Sequence, residues 1–241
     1  MKAVLFDLGH TLIDYYHEWR GPRAKAVDRV YRLVAGSCGT VPDKERFTAY
    51  LSGLLEKARD LKISQMVEVP LSETIDTCLH RFGCDSSEDL IEGSLEAFYQ
   101  TLLESRELIP GTVDMLERIR ARGLLIGLVS DVAWGLPSRF PLMDMRHFHL
   151  DGFFDDMVFS TDVGLRKPNP KIFKIALLNL GVKPGEAVFV GNSLQADIEG
   201  ALRVGMLAVL KKSKYYQHDD GIVPDARIVD WSEIDSVLNG H

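Results

Sequence analysis

The apolar residues of this chain follow two rhythms. Ala3-Val4-Leu5-Phe6 is a short unbroken run that stops at Asp7 and Gly9, which predicts a strand over residues 2–6 buried on both faces. From His17 to about Ser105 the apolar positions recur every three or four residues instead. That spacing predicts four helices, over residues 19–35, 43–62, 71–82 and 87–103, with breakers at 36–39, 69–70 and 83–86.

After Pro110 the two rhythms alternate. Helices are predicted over 112–122, near 137–148, over 170–180, 194–204 and 232–238. Strands fall between them at 124–129, 157–160, 187–190, 207–210 and 226–229. Gly123, Gly181 and Gly205 stop three of the helices. The strands are Val, Ile, Leu and Phe rich without polar alternation, as in a sheet covered on both sides. The fold class expected is therefore α/β, a doubly wound, mainly parallel, Rossmann-like sheet with an inserted all-α domain. A lone first strand cannot satisfy its backbone, so it must join the later strands. Residues 1–14 and 108–241 then form the core, and 15–107 a helical cap above the carboxyl ends of the strands, where it can open and close over a ligand.

Composition narrows the partners. The 241 residues carry 28 Lys and Arg against 35 Asp and Glu, a net charge of −7, which argues against nucleic acid. Neither a signal peptide nor a membrane-spanning apolar stretch is visible, so a cytoplasmic location is expected. Cys38, Cys78 and Cys84 have no metal-ligand spacing and leave one unpaired in any disulfide scheme, which suits free thiols in a reducing compartment. The polar stretch 211–218 reads as a surface loop.

Candidate chemistry gathers at the predicted strand ends, where open α/β sheets bind ligands. Asp7 follows the first strand, Ser130-Asp131 the run Leu125–Val129, Lys167-Pro168 the segment Gly164-Leu165-Arg166, and Gly191-Asn192-Ser193 with Asp197 the run Val188-Phe189-Val190. In this order, with Ile109-Pro110-Gly111 and Asp197-Ile198-Glu199-Gly200-Ala201 between and after them, the motifs resemble the haloacid dehalogenase superfamily. The resembling subgroup carries an α-helical cap after the first strand. It implies a hydrolase of phosphatase type that acts on a small phosphorylated metabolite. Asp7 would be the nucleophile, forming a covalent aspartyl intermediate that water cleaves. Ser130, Asp131 and Lys167 would bind the phosphoryl group, Ser130 and Lys167 also serving catalysis, and Mg²⁺ would be held by Asp7, the Gly9 carbonyl, Asn192 and Asp197.

The chain departs from that pattern twice. Gly9 stands where most phosphatases of the family have a second Asp, the acid that protonates the leaving alcohol. His10, Asp14 or His17 could replace it, although His10 also reads as a loop imidazole bonded to backbone and facing away. Asn192 stands where the metal-dependent members usually carry Asp, which removes one negative charge; Asp131, where Asn is usual, could restore it, while Asp197 could reach the metal through water. These departures keep two other readings open, a metal-independent 2-haloacid dehalogenase and a catalytically weak HAD-like binding protein. Phe173, where dehalogenases typically present Tyr, argues against the first. The aromatic stretch 14–20 and the broken stretch around Trp134 are read as either pocket wall or packing.

Overall fold

A computed structural model describes residues 1–214 and 221–240. The chain begins with strand β1 (Ala3–Phe6), makes the two-residue β2 (Ile13–Asp14), and enters helices α1 (Arg20–Ser37), α2 (Lys44–Gln65), α3 (Leu71–Arg81) and α4 (Glu88–Leu103). It returns through β3 (Glu107–Leu108) and then alternates through α5 (Thr112–Ala121), β4 (Leu125–Ser130), α6 (Arg139–His147), β5 (Asp156–Phe159), a single turn α7 (Ser160–Val163), α8 (Pro170–Asn179), β6 (Ala187–Gly191), α9 (Gly200–Val204) and β7 (Leu207–Lys211). Strand β8 (Ala226–Ile228) and helix α10 (Ile234–Asn239) follow.

Six of these strands form one sheet in the order β5-β4-β1-β6-β7-β8, with parallel pairings throughout. The first strand lies at its centre, Ala3 opposite Leu125 on one side and Ala187 on the other. Its alternate side chains enter two different cores, as the pleat requires. Val4 and Phe6 pack with Met115, Ile119 and Ile234, and the Phe6 ring meets Trp231 edge-on at 5.9 Å. Ala3 and Leu5 pack with Ile172, Phe173 and Ala176 of α8 and Ala201 of α9. Burying a side chain the size of Leu5 is worth about 1.5–3 kcal/mol, so the strand is held from both faces.

The helices α1–α4 stand outside the sheet and pack on one another, α1 against α4 and α2, and α3 against α2 and α4. Phe47, Leu51, Ile75, Leu79 and Phe98 fill their interior. Asp43 accepts a hydrogen bond from the Arg46 N–H at 2.9 Å and so caps α2. The chain leaves and re-enters the core through an antiparallel pair, Ile13 with Leu108 and Asp14 with Glu107. Sequence periodicity gives no sign of these strands, because two residues are too few to show a period.

Four expectations need correction. The helix expected over 194–204 is divided: a π-helical segment, Leu194–Glu199, precedes α9. The Ser193 carbonyl accepts from both Asp197 N and Ile198 N, at 3.0 and 3.1 Å, which widens the turn. Next, Cys38 and Cys84 are joined as a disulfide with Cα atoms 5.4 Å apart, leaving only Cys78 as a thiol. They lie 46 residues apart in sequence, and the packing of the inserted helices brings them together. Burial pushes the Cys78 thiol up to about 12, which keeps it protonated. Lys211 belongs to β7 rather than to a surface loop, its ammonium donating to the Val229 carbonyl at 3.0 Å above the Trp231 ring; residues 215–218 of that loop lie outside the described residues. Finally, Ser160, expected to end the strand over 157–160, instead opens the turn α7 after β5 stops at Phe159. Among the described residues no helix is long and apolar enough to cross a membrane.

Candidate active site

The parallel sheet brings the carboxyl ends of β1, β4 and β6 side by side, and the expected residues meet there. Asp7 follows β1 directly, its N–H donating to the Val190 carbonyl of β6 at 3.0 Å. The Lys167 ammonium reaches in from the loop before α8 and lies 2.5 Å from Asp7 Oδ1, 2.7 Å from Asp197 Oδ1 and 2.9 Å from the Val129 carbonyl. These three side chains are buried. Burial by itself would lower the Lys167 ammonium, but Asp197, Asp7 and Asp131 outweigh it and raise it above its ordinary value. The lysine is therefore a fixed positive charge at the end of β1.

Asp197 arrives through the wide turn after β6. One of its oxygens faces Lys167 and the other accepts from the Ser193 N–H at 2.9 Å. Burial raises its carboxyl above the ordinary range against the pull of Lys167. The other Asp7 oxygen, Oδ2, accepts from Thr11 Oγ1 at 3.0 Å, and the same hydroxyl lies 3.4 Å from Asn192 Oδ1. Thr11 thus ties the nucleophile candidate to the last motif. Asn192 Nδ2 is buried without a hydrogen-bond partner.

Ser130 ends β4, the strand paired with β1, and is buried. Asp131 Oδ1 accepts from the Lys167 N–H at 3.1 Å, which fixes the lysine's own backbone. Burial raises the Asp131 carboxyl against the opposing charges of Arg166 and Lys167. The Lys167-Pro168 peptide is cis, and Asn169 caps α8 by accepting from Lys171 N, with Pro170 opening the helix.

Gly9 supplies no side chain, and the acid candidates lie just past it. His10 is buried with a left-handed backbone, φ 60°, and its Nδ1 lies 2.5 Å from Asp14 Oδ1. His17 Nε2 reaches Asp14 Oδ2 at 3.3 Å, so the three polar residues form one group. Burial lowers the His10 imidazole although Asp14 pulls it up. The imidazole bonds to the Asp14 carboxylate, and its ring neighbours include Tyr15, His17 and Trp19. Trp19 meets Trp134 edge-on at 5.5 Å, and Trp134 meets Phe98 of α4 at 5.1 Å. The stretch 14–20 and the broken loop after Asp131 thus form one aromatic wall between sheet and inserted helices. Phe173 points the other way, into the core against Phe189 at 5.0 Å.

Sequence reasoning assigned no role to Thr11, Glu68 or Arg166. Thr11 sits one helical turn's worth of sequence from Asp7, a spacing that signalled nothing without the tight turn of residues 8–13. Glu68 and Arg166 meet only through tertiary packing, at 2.7 Å.

A parallel sheet flanked by helices, with an acid and a lysine gathered at its strand ends, is an α/β architecture with a charged site at the carboxyl edge of the sheet. Residues 1–205 match the family described as haloacid dehalogenase-like hydrolase, and the chain belongs to that family. It is 35% identical over 233 residues to a glyceraldehyde 3-phosphate phosphatase of Methanopyrus kandleri, covering 95% of this chain and 93% of that one. Among solved structures it is similar to a HAD phosphatase from Thermococcus onnurineus, with a TM-score of 0.68 and 26% identity over 100% of this chain and 99% of that one. A 2-haloacid dehalogenase from Pseudomonas syringae is equally similar, with a TM-score of 0.70 and 27% identity over the same shares.

Proposed function

We propose that this protein is a phosphoric monoester hydrolase that acts on a small phosphorylated metabolite through an aspartyl-phosphate intermediate on Asp7. One observation carries the reading: Asp7 is held at the end of β1 by Lys167 on one oxygen and Thr11 on the other. A carboxylate that attacks a phosphate dianion needs its repulsion cancelled, and Lys167 supplies that charge without any movement at the moment of reaction. Ser130, at the end of β4, would donate to the phosphoryl oxygens, and Asp131 keeps Lys167 aimed by holding its N–H. The M. kandleri relative is named for a three-carbon sugar phosphate, which supports a substrate of that size.

The residues present fit a Mg²⁺ ion. Asp7, the Gly9 carbonyl and the Asn192 Oδ1 offer hard oxygen donors close to one another, with Thr11 Oγ1 reaching both the Asp7 and the Asn192 oxygens. These three would hold the ion, and Asp197, held by Lys167 and the Ser193 N–H, would reach it through water. A bound divalent cation would add positive charge that helps offset the charge of the transferring phosphoryl.

Two observations favour a second reading, haloacid dehalogenation: the likeness to the P. syringae enzyme, and Gly9, since a halide leaves without a proton. One assay separates them. Hydrolysis of an aryl phosphate that is lost on chelation and restored by Mg²⁺, with no turnover of 2-chloropropionate, supports the phosphatase. The opposite pattern overturns it, and turnover of neither returns the chain to a binding role. Acid-quenched intact mass measurement should show a phosphoryl adduct, absent in Asp7→Asn.

A further inference from the structure

Glu68 is the most deeply buried carboxylate of the inserted helices, its side chain 2% exposed. Helix α2 ends at Met66 in a left-handed turn, φ 54°, that sends the chain down onto the core. There it forms a short antiparallel bridge with the loop that carries Lys167. Val67 pairs with Leu165, Glu68 N donates to the Gly164 carbonyl at 3.0 Å, and Arg166 N donates to the Met66 carbonyl at 3.0 Å.

The carboxylate has four donors. Lys62 Nζ and the Val69 N–H reach Oε1 at 2.7 and 3.0 Å, while Arg166 Nη1 at 2.7 Å and the Ser160 hydroxyl reach Oε2. Two of these donors carry the contact onward. Ser160 Oγ accepts from Val132 N at 3.0 Å, and Arg166 Nη1 also donates to the Val132 carbonyl at 3.2 Å. Arg166 Nη2 lies 3.5 Å from Asp131, which in turn holds the Lys167 N–H. The backbone fits closely at this point, because a Cβ on Gly135 would lie 2.2 Å from the Val69 carbonyl oxygen.

Glu68 therefore joins the loop after β4, which carries Asp131 and follows directly on Ser130, to the loop that carries Lys167. For stability alone an ion cluster this deep is a poor device, since apolar residues of equal volume serve as well or better. Its value lies in geometry: a buried charged hub has one low-energy arrangement, and both loops are fixed by it.

We propose that Glu68 is a positioning residue of the catalytic cleft. Carried by the inserted helices, it completes the site only when those helices are seated on the core. The proposal rests on the phosphatase reading for its kinetic test, but its structural test is independent.

The full chain is compared with Glu68→Gln, which keeps the size and removes the charge, Glu68→Asp, which keeps the charge, and Arg166→Met. Since misplacing reacting groups by 1 Å can cost about 10²-fold, Glu68→Gln is expected to lower kcat on aryl phosphate by about 10- to 100-fold. KM should stay within about threefold, as expected for a loss felt mainly in the transition state. Glu68→Asp should recover part of that loss. The double variant Glu68→Gln/Arg166→Met should be no slower than the slower single, because both act through one network. Hydrogen exchange reads the loops directly: the Arg166 and Lys167 amides should lose about tenfold of their protection in Glu68→Gln. Wild-type kcat per folded molecule, or unchanged protection of those amides, overturns the proposal. If the wild-type chain hydrolyses no phosphate ester, the function proposed above fails and the exchange result alone decides the role of Glu68.

Discussion

Gly191→Ala is the sharpest test of how the last motif is built. Gly191 is the final residue of β6, and a Cβ there would lie 2.4 Å from Asp197 Cγ and 2.5 Å from its Oδ2. Ordinary van der Waals contact begins about 1 Å further out, so Asp197 or the strand must give way by roughly that distance. The carboxylate cannot yield freely, because Lys167 and the Ser193 N–H hold it at 2.7 and 2.9 Å. Overpacking a filled interior costs about 1–3 kcal/mol, and for a chain of this size each kcal/mol moves Tm by about 2–4 °C. Calorimetry should therefore show Tm lower by about 2–12 °C. A displaced Asp197 also releases Lys167 from one of its two anchoring carboxylates, so kcat on aryl phosphate should fall about 10²-fold. The two readouts are separable. An unchanged Tm would refute the steric argument, while a lowered Tm with wild-type kcat would show that Asp197 does not set the lysine.

Other outcomes follow from the same geometry. Lys167→Met leaves Asp7 and Asp197 buried without their cation; turnover should vanish, and chemical denaturation should show a loss of about 3–5 kcal/mol, the usual cost of breaking a buried ion pair. The Cys38–Cys84 bond closes a 46-residue separation, for which chain entropy gives up to about 4 kcal/mol; a Tm that does not fall on full reduction would contradict that pairing. For Glu68, burial raises the carboxyl but Arg166 and Lys62 outweigh it and hold it below its ordinary range. The folded chain thus takes up this proton at a lower pH than the unfolded chain does. Its stabilisation is complete above the unfolded value of about 4.3 and is lost as the pH falls below it. Tm measured from about pH 6 to pH 3 should therefore fall less steeply in Glu68→Gln than in wild type.

Much of this architecture is legible in the residues themselves. Apolar runs without alternation mark strands covered on both faces, and a helical period over some ninety residues marks the insertion, because burial imposes those patterns on any chain. The acid after β1, the lysine before α8 and the polar motif after β6 are legible too, since strand ends in a parallel sheet converge. What the residues do not show is who meets whom. The Cys38–Cys84 bond, the Thr11 link between Asp7 and Asn192, and the engagement of His10 by Asp14 depend on turns and packing that leave no periodic trace. Local pattern records what each segment buries. Contacts between segments far apart in the chain, such as Glu68 with Arg166 or Asp197 with Lys167, exist only after the sheet and the inserted helices have set their distances.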